Sequence, residues 1–158
     1  MNIKFNRFLT VIIIILICVI SYLYFYKQKQ SEFEIPEFDK NAISEKLEVP
    51  ESLNLNSFKV SDGYEFQICS NLKLGENNEL PIYFYSKETN DVYIKIKVLD
   101  KESNKCLLET GIIKPGQSLK NIYFNQNIKN KEVLIKVLSY NPSNYYSRGT
   151  VKLNAKIQ

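Results

Sequence analysis

The sequence contains no histidine and no tryptophan, and it has one methionine and three cysteines among its 158 residues. Without histidine, the chain cannot use Ser-His-Asp or Cys-His catalysis, histidine-bound zinc or an imidazole proton shuttle. No pair of carboxylates is set apart by its surroundings as a general acid and base. The composition therefore predicts a protein that is not an enzyme and that has no catalytic residues, no metal ligands and no cofactor.

The sequence also has little excess charge, with 21 basic residues, 17 acidic residues and a net charge of +4. The excess belongs to residues near the start of the chain, because acidic and basic side chains are equal in number from residue 31 onward. The residues in excess are Lys4, Arg7, Lys27 and Lys29. They flank an uncharged run, Phe8 to Tyr26.

The run from Phe8 to Tyr26 predicts a transmembrane helix. Its length at ~1.5 Å per residue is ~28 Å, close to the hydrocarbon thickness of about 30 Å. A cleaved signal peptide is the alternative, but such peptides have shorter apolar regions that end in small residues. This run ends in aromatic residues, which favour the headgroup layer. A single-pass signal anchor is therefore the preferred interpretation.

The flanking charges leave the orientation of the anchor open, because two basic residues precede the run and two follow it. A short basic tail before an apolar segment is the arrangement of signal anchors, so residues 1–7 are predicted to be a cytoplasmic tail. Residues 27–52 are largely acidic after Lys29, include two prolines and are predicted to form a stalk. Residues 53–158 are then a domain outside the cytoplasmic membrane.

The pattern after the stalk has a period of two, which is typical of half-buried strands. It is clearest in residues 92–98 and returns in residues 133–137 and 151–157. Weaker strand candidates are Tyr64 to Leu72, Leu80 to Tyr85, Cys106 to Ile113 and Leu119 to Phe124. No segment keeps a helical period, so the strands must pair mainly antiparallel. About seven short strands predict an all-β, immunoglobulin-like β-sandwich, with a small barrel as the alternative.

The segment Lys114-Pro115-Gly116-Gln117 predicts a type II turn, because proline presets φ at the second position and glycine tolerates a positive φ at the third. A Tyr-rich stretch, Tyr140 to Leu153, follows later. Over roughly residues 80–158 the chain resembles small membrane-anchored β-sandwich proteins of low-GC Gram-positive bacteria, which combine such a turn with a strand after a Tyr-rich loop. The resemblance implies a fold and a membrane location, and it implies no activity.

The loop from Ser139 to Gly149 is the best candidate contact site, because it combines several tyrosines with an arginine. The candidate residues are Tyr140, Tyr145, Tyr146 and Arg148. Exposed tyrosine and arginine are enriched in surfaces that bind proteins or glycans. The alternative is that the tyrosines cover the end of the sandwich. The loop also looks too long for a tight hairpin between neighbouring strands.

Two further groups of residues have more than one interpretation. Cys69 and Cys106 are the only cysteines outside the predicted anchor, and they are either a disulfide or two independent small residues. Lysines on the predicted outer strand faces favour solubility and protection of sheet edges over binding of a nucleic acid or an anionic wall polymer, so no nucleic-acid partner is predicted. These lysines are Lys95, Lys97, Lys136, Lys152 and Lys156.

Together these features predict a single-pass protein of the cell membrane, anchored by Phe8 to Tyr26, with its C-terminal domain outside the cytoplasm. The predicted function is that of a non-enzymatic binding or assembly module of the cell envelope, with a protein or cell-wall partner. The alternative is a structural accessory subunit of a membrane secretion or conjugation complex.

Overall fold

The computed structural model describes residues 12–22, 35–61 and 63–158 of the chain. Residues 12–22 form a helix in the middle of the predicted anchor. The predicted tail, residues 1–7, and both ends of the predicted anchor, residues 8–11 and 23–26, lie outside the described residues. Among the residues that the structure describes, no helix is long and apolar enough to cross a membrane.

Residues Pro36–Gln158 form one compact unit. A short 3-10 helix, Glu76–Asn78, lies between its second and third strands. The described strands, in chain order, are β1 Leu55–Lys59, β2 Glu65–Cys69, β3 Glu79–Ser86, β4 Tyr93–Asp100, β5 Cys106–Glu109, β6 Ser118–Tyr123, β7 Glu132–Tyr140 and β8 Ser147–Lys156.

These strands form two four-stranded sheets with antiparallel pairing between all neighbours. One sheet has the order β1-β2-β3-β6, and the other has the order β5-β4-β7-β8. The predicted all-β, antiparallel class is therefore confirmed. In the second sheet, β7 pairs with β4 on one side and with β8 on the other.

The alternating sequence pattern places one face of each sheet in a shared core. In β4, Ile94, Ile96 and Val98 are buried, while the lysines between them are only partly covered. Buried residues of both sheets form one contiguous hydrophobic cluster. Each Å² of apolar surface removed from water contributes about 25 cal/mol. Burial of the two inner faces therefore holds the sheets together.

The structure has eight strands in its described part, whereas the sequence pattern predicts seven. The additional strand is β1, which pairs with β2 from Leu55 opposite Cys69 to Lys59 opposite Glu65. Its two apolar residues, Leu55 and Phe58, are not spaced at the period of two that identifies a strand. This segment becomes a strand because it pairs with β2, and its local sequence alone does not predict one.

The turn predicted at residues 114–117 has the expected geometry. The Gln117 N–H donates a hydrogen bond to the Lys114 carbonyl at 3.2 Å, and Gly116 has a φ of +76°. A positive φ at the third turn position is what a type II turn requires and what glycine tolerates. The turn leads directly into β6.

The compact unit begins at Pro36, whereas the sequence pattern places the start of the domain at residue 53. Within the predicted stalk, Phe38 forms a parallel bridge with Ile112, and Ile43 forms an antiparallel bridge with Ser118. The apolar residues of this acidic stretch, among them Phe38, Ala42, Ile43 and Leu47, have at most a short helical spacing, which does not predict bridges to strands. Residues 36–43 nevertheless pack against the strands.

A glycine makes the close approach of this segment possible. The Asp39 N–H donates to the Ile112 carbonyl at 2.9 Å, and an Asp39 carboxylate oxygen accepts from the Gly111 N–H at 2.9 Å. A Cβ atom added at Gly111 would lie 2.5 Å from the backbone nitrogen of Asp39. Any side chain at position 111 therefore pushes residues 36–43 away.

We expect Gly111→Ala to lower the free energy of unfolding by about 1 to 3 kcal/mol, because the added methyl group overlaps the Asp39 backbone. The matched control is Gly75→Ala, where the nearest atom lies 3.3 Å from the added carbon. Urea denaturation of each full-length variant in a nonionic detergent, monitored by tyrosine fluorescence, measures the loss of unfolding free energy in both variants. Equal losses in the two variants would contradict the proposed close contact.

Candidate contact surface

The Tyr-rich loop is a hairpin connection between two neighbouring strands. β7 and β8 pair directly, with Tyr140 opposite Ser147 and Ser139 opposite Gly149. The expectation that this connection is too long for neighbouring strands is wrong, because both strands extend into the predicted loop. Only residues 141–146 lie between them.

Hydrogen bonds within the hairpin give residues 141–146 a defined shape. The Asn141 N–H donates to the Tyr146 carbonyl at 2.9 Å, and the Tyr145 N–H donates to the Asn141 carbonyl at 2.8 Å. The Asn141 side-chain oxygen accepts from both the backbone N–H and the hydroxyl of Ser143. Tyr145 has a φ of +56°, which turns the chain sharply before β8 begins.

The structure places the three candidate tyrosines in different surroundings. Tyr140 is half-buried at the end of β7, and Tyr145 is half-buried with its ring centroid 6.0 Å from that of Tyr93. Tyr146 is 70% exposed. The two interpretations of the loop therefore each describe part of it, since one ring packs against the domain and another faces solvent.

Two aromatic residues that the sequence does not single out complete this surface. Tyr93 lies directly opposite Tyr140 on β4, and the Phe38 ring meets the Tyr93 ring edge to face with centroids 5.6 Å apart. We call Phe38, Tyr93, Tyr140 and Tyr145 the aromatic cluster. The Lys114 ammonium lies 4.2 Å from the centre of the Phe38 ring, within the range of a cation–π interaction.

The signal for these residues was weak in the sequence. Tyr93 lies at an outward position of the clearest strand, but its position beside Tyr140 follows only from the register between β4 and β7. Phe38 lies in a segment whose composition predicts a stalk. The aromatic cluster thus depends on pairings that are distant in the sequence.

The fourth candidate, Arg148, is tied to a second loop. Its guanidinium donates to the Asp91 carboxylate at 2.7 Å. This hydrogen bond from Arg148 holds the pKa of the Asp91 carboxyl below its ordinary value. Asp91 lies in the connection between β3 and β4, so the ion pair joins that connection to the base of the Tyr-rich hairpin.

The structure does not bring the two candidate disulfide cysteines together. Cys69 is buried on β2 of one sheet, Cys106 is exposed on β5 of the other sheet, and both thiols are free. Each sulfur lies 3.5 Å from a nearby carbonyl oxygen, that of Asn71 for Cys69 and that of Leu108 for Cys106. Each cysteine therefore has its own local contacts.

A cleft of about 370 Å³ lies on the outer side of β1, β2 and β3. Glu65 lies in this cleft, 2.7 Å from the Lys87 ammonium and 3.7 Å from that of Lys59. The hydrogen bond from Lys87 lowers the pKa of the Glu65 carboxyl. Because the Glu65 carboxylate already pairs with Lys87 and Lys59, the positive charges of these two lysines are less available to a ligand in the cleft.

No group of three or more histidine, cysteine, aspartate or glutamate side chains in the described residues is arranged to hold a metal ion. No family model, no curated protein and no solved structure matches the chain. Function is therefore inferred from the residues of this chain alone.

We expect Tyr145→Ala and Tyr146→Ala to differ in stability. Removing the Tyr145 ring, which packs against Tyr93, should lower the free energy of unfolding by about 1 to 2 kcal/mol, less than for a fully buried aromatic residue. Removing the exposed Tyr146 ring should change it by less than about 0.5 kcal/mol. Urea denaturation of both variants tests this, and equal effects would show that the rings do not have separate roles.

Proposed function

We propose that this chain is a single-pass membrane protein, anchored by Phe8 to Tyr26, that displays Pro36–Gln158 outside the cytoplasmic membrane as a non-enzymatic binding or assembly module of the cell envelope. The anchor is supported by the uncharged apolar run and its basic flanks. The binding role is supported by one observation above the others: the exposed Tyr146 directly follows Tyr145, a member of the aromatic cluster, on a hairpin of defined shape.

The strand order supports assignment of the domain as immunoglobulin-like. If β2 to β8 are lettered A, B, C, C′, E, F and G, the sheets become A-B-E and C′-C-F-G, with β1 as an additional edge strand beside A. Immunoglobulin domains likewise separate strands A, B and E from strands C, F and G. The sequence has no tryptophan, so the domain lacks the hallmark Trp of antibody domains.

In this lettering, the hairpin that we propose for binding corresponds to a loop that immunoglobulin variable domains use. Those domains bind through the B–C, C′–C″ and F–G loops at one end of the sandwich. Here the F–G loop is the Tyr-rich hairpin, residues 141–146, and the B–C loop contains Asp91. The ion pair between Asp91 and Arg148 brings these two loops to the same end of the domain.

The nature of the exposed residues supports binding over catalysis. Tyrosine supplies a large contact area with few rotatable bonds, so little conformational entropy is lost when it is buried by a partner. Arg148, two residues after the hairpin, is paired with Asp91. A paired arginine fixes the shape of a surface and is not positioned to act on a substrate.

The binding proposal predicts that Tyr146→Ala reduces adhesion of the full chain to cell walls by about tenfold or more, the effect of losing an interface hot spot. The matched control is Tyr123→Ala, since Tyr123 is also exposed, at 52%, but lies on β6 of the other sheet. Cosedimentation of the detergent-solubilised chain with purified Gram-positive cell walls measures the difference.

Equal adhesion of the two variants would overturn the role of the hairpin. If neither the two variants nor the unmodified chain adheres to cell walls, and a photocrosslinker at position 146 reacts with a membrane protein complex, the accessory-subunit alternative is favoured. Because both substitutions replace exposed rings, a loss of folding is not expected to confuse the comparison.

The proposed topology predicts that protease added to intact protoplasts removes the domain and leaves residues 1–7 protected. A short basic tail before the apolar run is retained on the cytoplasmic side, so the rest of the chain is translocated. Immunoblotting with tags at both ends of the full chain measures which end survives. Protection of the domain until the protoplasts are lysed would reverse the proposed orientation.

A further inference from the structure

Three lysines lie at the same level on three neighbouring strands. Lys97 on β4 is directly opposite Lys136 on β7, and Lys136 is directly opposite Lys152 on β8. We call these residues the lysine row. Glu109 on β5 is opposite Lys97 and stands at one end of the row.

The positive charge of the lysine row is neutralised by a carboxylate at one end only. The Glu109 carboxylate lies 3.0 Å from the Lys97 ammonium and 2.7 Å from that of Lys95. In the described part of the chain, neither Lys136 nor Lys152 has an ion-pair partner within 4.0 Å. The three lysines of the row and Glu109 leave a net charge of +2 at this level of the sheet, and Lys95, opposite Leu138 at the next level, adds one more positive charge.

This arrangement opposes folding. Like charges directly opposite each other on neighbouring strands are destabilising, and uncharged polar residues would avoid the repulsion. The row therefore has an electrostatic cost that a bound anion would remove. Directly opposite residues of an antiparallel pair have Cα atoms about 4.5 to 5.5 Å apart, so Lys136 and Lys152 can approach one anionic group together.

We propose that the lysine row binds a linear polyol-phosphate polymer of the cell envelope, with one phosphodiester group held between Lys136 and Lys152 and the chain continuing toward Lys97. This proposal rests on the proposed function, because it takes the face to be outside the cytoplasm. Lysine binds phosphate as a point charge without fixed geometry, which suits a flexible polymer.

The immediate surroundings of Lys136 and Lys152 favour this polymer over a nucleic acid, since the tyrosines on this outer face, Tyr93 and Tyr140, lie four residues along β4 and β7 from Lys97 and Lys136. Proteins that bind single-stranded nucleic acids stack the bases on aromatic side chains beside the basic groove. The residues next to Lys136 on the same face of β7 are Leu134 and Leu138, both half-buried, and those next to Lys152 on β8 are Thr150 and Asn154. A polymer without bases needs no stacking partner at these positions.

The test compares two double variants of the full chain in a nonionic detergent. The first, Lys136→Gln with Lys152→Gln, removes two charges from the row. The second, Lys73→Gln with Lys129→Gln, removes two exposed charges that make no ion pair in the described residues, and so has the same net charge. The probe is a fluorescent glycerol-phosphate oligomer, and its anisotropy is titrated at several salt concentrations.

We expect the row variant to bind the oligomer about tenfold more weakly and the control variant to bind as the unmodified chain does. The slope of log affinity against log salt should become shallower by about 1.4 in the row variant, at ~0.7 for each of two lost phosphate contacts. The thermal midpoint of the row variant should be unchanged or higher, because repulsion is removed. A reduced affinity with an undiminished midpoint separates binding from folding.

Three outcomes would overturn the inference. The first is no binding of the oligomer by the unmodified chain, and the second is an equal loss in both double variants, which would indicate net charge alone. The third is tighter binding of a single-stranded oligonucleotide through the row, which would indicate a nucleic-acid site. If Tyr146-dependent adhesion to cell walls persists in any of these cases, the proposed function stands and only the role of the lysine row fails.

Discussion

Burial of the two inner sheet faces against each other is the interaction on which every surface of this domain depends. Strand residues alternate between the two faces of a sheet, so the buried Ile94 and Ile96 force Lys95 and Lys97 to point outward. A slip of one residue would bury the lysines and expose the isoleucines. The core therefore fixes the register between β4 and β7, and this register places Tyr93 beside Tyr140 and Lys97 beside Lys136.

Charged residues are arranged differently on the outer faces of the two sheets. On β2, Glu65 accepts ion pairs from Lys59 and Lys87, so opposite charges meet. On the other sheet, Lys136 and Lys152 are directly opposite each other. The carboxylate at that level, Glu109, pairs with Lys97 at the other end of the row. Selection for stability alone favours the first arrangement. The second face has a less stable arrangement and a surface suited to an anionic partner.

The fold class could be predicted where local pattern and tertiary burial agree. The strict alternation in β4, β7 and β8 identifies three strands because half of each strand faces the core. β1 and the bridges of residues 36–43 could not be predicted, since they depend on pairing with distant residues such as Ile112. The acidic composition around residues 36–43 predicts a stalk, and it does not indicate that the segment pairs with the strands.

The candidate contact site could likewise be predicted only in part from the sequence. Composition alone located Tyr140, Tyr145, Tyr146 and Arg148, because tyrosine and arginine are concentrated in one stretch. It could not separate the exposed Tyr146 from the packed Tyr145, and it could not add their partner Tyr93. Such distinctions require the register between strands, and a single sequence does not contain that information in its local pattern.

The contacts of Ile157 constrain the order of events during synthesis. Ile157 is fully buried, and the next residue exchanges hydrogen bonds with the segment after β2 through Leu72 and Leu74. Residues 72 and 74 leave the ribosome long before residue 157, so the core stays open at this position until β8 has been made. A chain threaded through a membrane while it is being synthesised would thus cross unfolded and close its core on the far side.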